Sequence, residues 1–177
     1  RLPRAALSRR DARPLVAGRR LLVVWPRPGR PVRTFSEEER EWLAAWCRRH
    51  DTVLGVREGA VDRLGSHTQT LAPHGAWSLS GRNLPDPSVV LRVADAVLTD
   101  DADETVDFLL TGRPLLHLLP EAGEHATSAD TAEPLAHYPP ASSLPGPVCT
   151  SFEELTAALE SVFEARDADL RRAYERS

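Results

Sequence analysis

The chain has 177 residues, 41% of them hydrophobic, which suits one domain of common size with a substantial core. Its 22 basic residues are all arginine, 26 acidic residues bring the formal net charge to −4, and methionine is absent, as expected of a piece of a longer or processed protein. No apolar run approaches the roughly 18–20 residues of a membrane helix, no cationic-then-apolar leader opens the chain, and Cys47 and Cys149 alone make neither a disulfide scaffold nor a cysteine zinc site.

Residues 1–19 are Arg-rich with scattered apolar positions and predict an arm or interdomain remnant. Leu21, Leu22, Val23, Val24 and Trp25 read as a fully buried strand, ended by Pro26 and the Pro28-Gly29 pair. Ser36 and Glu39 have the spacing of a capping box: the hydroxyl takes an early helix N–H and the carboxylate returns to the Ser36 N–H. Trp42, Leu43, Trp46 and Cys47 follow at helical spacing, and Arg48-Arg49-His50 suit the negative end of the helix dipole. A second strand is expected at 52–56. Residues 59–75, rich in Gly, Ser, Thr, Gln and His, predict a loop with one helical turn at 61–64.

A short strand is expected at 76–79. Asp86 as cap and Pro87 in the first turn then start a short helix through Val89, Val90 and Val93. Residues 96–99 read as a third buried strand. Residues 101–110 predict a helix with Val106, Leu109 and Leu110 inward, closed by Gly112 and Pro114. A fourth buried strand is expected at 115–119, a long surface loop at 121–147 and a last short strand at 148–149. Ser151 and Glu154 form a second capping box, leading a helix with Phe152, Leu155, Ala158, Leu159 and Val162 on one face. The charged tail at 166–177 predicts a C-terminal helix.

Short apolar strands alternating with capped helices predict an α/β, three-layer, Rossmann-like domain over residues 20–165, with a mostly parallel sheet of five or six strands. Such sheets bind ligands at the carboxyl ends of their strands. Charge is uneven: residues 1–57 carry 14 Arg and 6 acids, residues 58–177 carry 8 Arg and 20 acids. The basic part has little aromatic interleaving and no nucleic-acid motif, so nucleic acid is not an expected partner.

Asp86-Pro87-Ser88, the run from Ala94 to Asp100, and the run Val106-Asp107-Phe108-Leu109-Leu110-Thr111-Gly112-Arg113-Pro114-Leu115-Leu116 together resemble the nucleotide-binding half of the CDP-glycerol glycerophosphotransferase family. Pro145-Gly146-Pro147-Val148, followed by Phe152-Glu153-Glu154-Leu155, is similar to that family's C-terminal Pro-Gly-Pro and helix. The resemblance implies the C-terminal half of a GT-B transferase of teichoic acid biosynthesis, in which two Rossmann-like domains face each other across a cleft. It implies a nucleotide-activated polyol phosphate donor, a cell-wall or surface polymer as acceptor, a companion N-terminal domain, and work in the cytoplasm, peripheral to the inner face of the membrane.

Three donor contacts depart from the family pattern. Thr99 and Asp100 match its Thr-Asp, but Ala102 and Asp103 stand where it has serines, beside Asp101 and Glu104. Two like charges about 4 Å apart cost roughly 4 kcal/mol at intermediate dielectric, so an anionic diphosphate here needs a cation. Arg57 is followed by Glu58 where the family carries a catalytic histidine, and only His137 approaches the family's Arg-Gly. The candidate substrate-binding residues are therefore Thr99, Asp100, Asp103, Arg57, Glu58 and His137, the catalytic residues are unassigned, and the family reaction is expected to be weakened or lost. Other readings are a non-catalytic nucleotide-binding or docking module and a GT-B transferase with another activated donor.

Each candidate also has an ordinary role. The acids at 100–104 suit a first helical turn, though they leave magnesium open as a cofactor. His67 and His74, seven apart in a polar segment, could be a shifted catalytic base and a phosphate partner but read as loop histidines. One of His125 and His137 in the long loop could contact a ligand, and His117 reads as a satisfied core histidine. Arg57 could clamp an anion or pair with Glu58 or Asp62. Cys47 reads as a small buried hydrophobe. No histidine spacing supports zinc and no phosphate-loop signature occurs.

Overall fold

A computed structural model describes residues 16, 18–26, 35–58, 66–82, 84–100, 106–119 and 144–175. Six strands form one sheet: β1 (Arg20–Trp25), β2 (Thr52–Val56), β3 (Trp77–Ser78), β4 (Ala96–Thr99), β5 (Leu115–Leu118) and β6 (Val148–Cys149). The order is β3-β2-β1-β4-β5-β6, and every pairing is parallel. Chain direction along the sheet therefore reverses between β1 and β4, paired from Leu22↔Ala96 to Trp25↔Thr99.

Strands β1, β2, β4 and β5 are buried on both faces, apart from half-buried Arg20, because helices cover each face; the edge strand β3 is exposed. Alternate side chains point to opposite faces. Leu22, Val24, Leu54, Val56, Leu98 and Leu116 pack against α1 (Glu37–Arg49) through Leu43, Trp46 and Cys47, and against α5 (Phe152–Glu175) through Leu155, Leu159 and Phe163. Leu21, Val23, Trp25, Val53, Val97 and Leu115 pack on the other face against α3 (Pro87–Val93) and Phe108 of α4 (Val106–Leu109).

Caps begin the helices where the spacing placed them. Ser36 Oγ accepts from the Glu39 N–H at 3.2 Å, and Glu39 accepts from the Ser36 N–H at 2.8 Å. Asp86 accepts from the Ser88 N–H at 2.9 Å. In α5, Ser151 Oγ accepts from the Glu154 N–H at 3.2 Å, while Glu154 reaches one residue further back, to the Thr150 N–H at 2.7 Å. Gly146 has φ +93, and a Cβ there would lie 2.1 Å from the Leu115 carbonyl oxygen, so the turn into β6 requires glycine.

Two expectations are corrected. The segment read as a loop at 59–75 holds a helix, α2 (Ser66–Leu71), and a 3-10 turn at Ala72–His74; the turn expected at 61–64 lies outside the described residues. The six residues of α2 carry one large apolar anchor, the fully buried Leu71, too little for a visible period. The described part of the helix expected over 101–110 is α4, and it turns Phe108 inward, not Leu109 and Leu110, which are 36% and 88% exposed. A single turn gives few positions a view of the sheet, and the Thr111 and Gly112 N–H groups close it on the carbonyls of Phe108 and Leu109.

Candidate functional site

The reversal between β1 and β4 is a topological switch point, where the loops leaving adjacent strands diverge and open a crevice. A pocket lies there. Val24, Trp25 and Pro26 line it from the end of β1, Leu98, Thr99 and Asp100 from the end of β4, and Leu118 from β5; Phe35 and His67 close it from the entries to α1 and α2.

Phe35 gathers three helix N-termini. It precedes the Ser36 cap of α1, meets the His67 ring of α2 edge-on at 6.2 Å, and meets Phe152 in the first turn of α5 at 6.2 Å. Each of these termini has a carboxylate beside it, although in α1 and α5 a serine hydroxyl, Ser36 or Ser151, takes the helical N–H. Glu39 accepts from the Ser36 N–H at the start of α1, and Glu154 from the Thr150 N–H just before α5. Glu58 closes α2, accepting from the His67 N–H at 2.8 Å, the Thr68 N–H at 3.3 Å and the Thr68 hydroxyl. Glu154 is held below the usual carboxylate range by its bonds from the Thr150 N–H and hydroxyl.

Of the sequence candidates, Thr99 and Asp100 lie in the pocket wall. Arg57 and Glu58 follow the end of β2 and are only 6% and 3% exposed. The Arg57 guanidinium donates to the Leu79 carbonyl at 2.9 Å and to the Leu84 carbonyl, and stands 5.4 Å over the Trp25 ring. Asp103 and His137 lie outside the described residues, as do Asp101, Glu104 and His125. His74 pairs with Glu37 at 3.3 Å. His117 is a satisfied core residue whose Nε2 donates to the Pro145 carbonyl at 3.1 Å, and burial pushes its pKa down.

Phe35 is a pocket residue that the sequence reading lacks, whereas His67, a candidate base in the sequence, does line the pocket. Phe35 had a usable signal, since the position before an N-cap is a recurrent packing site. The pocket thus joins a histidine, a threonine and an aspartate to an otherwise apolar wall. Among the described residues no three metal-ligating side chains converge, and no helix is long and apolar enough to cross a membrane.

Among known proteins, no family and no curated sequence matches the chain. Solved structures do. The wall teichoic acid polymerase TagF is similar at TM-score 0.54 and 16% identity over 94% of this chain. The same polymerase soaked with CDPG gives 0.53 and 18% over 90% of this chain. The ADP-heptose LPS heptosyltransferase II of E. coli gives 0.56 and 14% over 94%. This chain spans 38% and 42% of the polymerase chains and 54% of the heptosyltransferase. At these identities the likeness is one of fold: the chain has the α/β architecture of a domain of GT-B glycosyltransferases.

Proposed function

We propose that this domain is the ligand-holding half of a GT-B transferase akin to the CDP-glycerol glycerophosphotransferases, retained as a nucleotide-binding module with weakened transfer chemistry. The observation that carries this reading is the pocket at the β1–β4 switch point, walled by Thr99 and Asp100, the two positions that match the family's Thr-Asp. The match in fold to a wall teichoic acid polymerase supports it. In the family, an acceptor hydroxyl attacks the donor's β-phosphate and cytidine phosphate leaves. Here the chain supplies a floor for the donor, and the other half of the cleft belongs to a companion domain working at the inner membrane face.

A second reading, a transferase with a sugar-nucleotide donor, is supported by the fold likeness to a heptosyltransferase and by the Asp100 carboxylate, which can accept from sugar hydroxyls. Calorimetric titration with CDP-glycerol, CTP and UDP-glucose, with and without magnesium, tests both. Weak binding of CDP-glycerol, lost in Phe35→Ala, is expected. Preference for UDP-glucose would favour the second reading, and failure to bind any of them would sink both.

A further inference from the structure

We infer that the β5–β6 edge of the sheet is an acid-sensitive latch: protonating the buried His117 releases residues 145–149 while the rest of the domain stays folded. The latch works whatever the pocket binds.

His117 is 1% exposed inside β5, although histidine is the side chain whose charge changes near neutral pH. Its Nε2 donates to the Pro145 carbonyl at 3.1 Å and so ties the ring to the turn that starts β6, 28 residues away. Backbone bonds fasten the same edge: the His117 N–H donates to the Pro147 carbonyl at 2.8 Å, and the Leu119 N–H to the Cys149 carbonyl at 2.9 Å. β6 itself is slight. It has two residues, ends the sheet and pairs with β5. Gly146, at φ +93 and pressed on the Leu115 carbonyl, gives it a hinge. Behind it, α5 is capped by its own Thr150, Ser151 and Glu154, so the first turn of the helix does not need β6. Short edge segments of this kind open at a fraction of the global unfolding free energy.

The neutral ring needs an acceptor for its one N–H, and Pro145 supplies it. A proton adds a charge and a second N–H inside the sheet, and opening to water relieves both. Thr99 on β4 and Val148 on β6 flank His117 in register. The titratable groups at this end of the elements packed on β5 are Asp100 after β4, Cys149 on β6, and Glu153 and Glu154 in α5. None of them offsets the burial that lowers the pKa of His117; the Pro145 carbonyl opposes it weakly. The closed edge therefore holds the proton less well than the open one. Opening grows as pH falls below about 6.5, by up to about tenfold per pH unit. Leu118 pairs with Cys149 and lines the switch-point pocket, so release of β6 frees one wall of the site.

The two native thiols read the latch, because Cys149 lies on β6 and Cys47 on α1, both buried. The full chain is labelled with a dipyridyl disulfide, which reacts with thiols in acid, from about pH 7.5 to about pH 5. Sites are assigned by mass spectrometry, and each rate is divided by that of the urea-unfolded chain at the same pH. Below about pH 6.5 Cys149 should lose protection by up to about tenfold per pH unit, label at least about tenfold faster than Cys47, and respond little to added urea. His117→Gln can still donate to Pro145 but does not titrate, and should leave Cys149 protection flat with pH. Gly146→Ala strains the hinge, and should expose Cys149 near neutral pH with Cys47 still protected. Equal protection of the two thiols at every pH overturns the inference, because the edge then opens only with the whole domain. A Cys149 profile that His117→Gln leaves unchanged also overturns it. Should that variant not fold, Gly146→Ala decides, and joint exposure of both thiols overturns it.

Discussion

The two ends of the strands place charge differently. At the carboxyl ends, Glu39, Glu58 and Glu154 stand at the starts of helices, outside the lining of the pocket. At the amino ends a buried carboxylate and an arginine hold backbone. Asp95, 2% exposed, accepts from the Leu21 N–H at 2.9 Å, and its own N–H donates to the Leu21 carbonyl at 2.7 Å, joining the start of β4 to the start of β1. Arg113 donates to the Leu91, Arg92 and Ala94 carbonyls at the C-terminus of α3, with its guanidinium 4.8 Å over Phe108. Both ends obey the helix dipole, acids at N-termini and a cation at a C-terminus. They differ in what depends on them. Asp95 bridges residues 74 apart and has no local substitute. The cap formed by Glu39 is local, and a neutral Gln can replace it. Charge at the amino ends joins distant parts of the fold, and charge at the carboxyl ends caps helices locally.

The contrast can be broken at several points. Asp95→Ala should have the largest effect, about 2–3 kcal/mol by urea denaturation, because it orphans the buried Leu21 N–H; Arg113→Ala should cost about 2 kcal/mol. Neither should change CDP-glycerol binding by the folded protein, and a change would show that the two ends are coupled. Acid sensitivity comes next. The pKa of His117 is lowered by burial, so the unfolded chain binds its proton first. Its contribution is complete above the unfolded value of about 6.5 and is lost as pH falls below it. A urea midpoint followed from about pH 7.5 to about pH 5.5 should therefore fall, and His117→Gln should flatten that slope. The smallest effect concerns the thiols. Burial raises the pKa of Cys47 to about 12 and that of Cys149 to about 11, the latter also through Glu154. Near neutral pH neither should react with a thiol reagent until the chain unfolds, and labelling of native Cys149 there would mean that β6 opens without acid.

Much of the fold was legible because its signals are local. The apolar run at Leu21–Trp25, the Ser36–Glu39 box and the Asp86-Pro87 start each state their role within a few residues, and each is found in place. Less of the site was legible. Thr99 and Asp100 could be placed by the strand they end. The part that Glu58 plays depends on a helix that begins eight residues later in a polar segment, and the inward turn of Phe108 depends on how one helical turn meets the sheet.

The sequence by itself determined the buried strands β1, β2, β4 and β5 and the capped starts of α1, α3 and α5, because apolar runs and caps act over a few residues. Tertiary structure alone decided that β1 lies between β2 and β4, and that Phe35, His67 and Asp100 share one pocket. Those neighbours are set by the packing of two helical layers on a parallel sheet, whose contacts join residues far apart in the chain and leave no periodic trace in it.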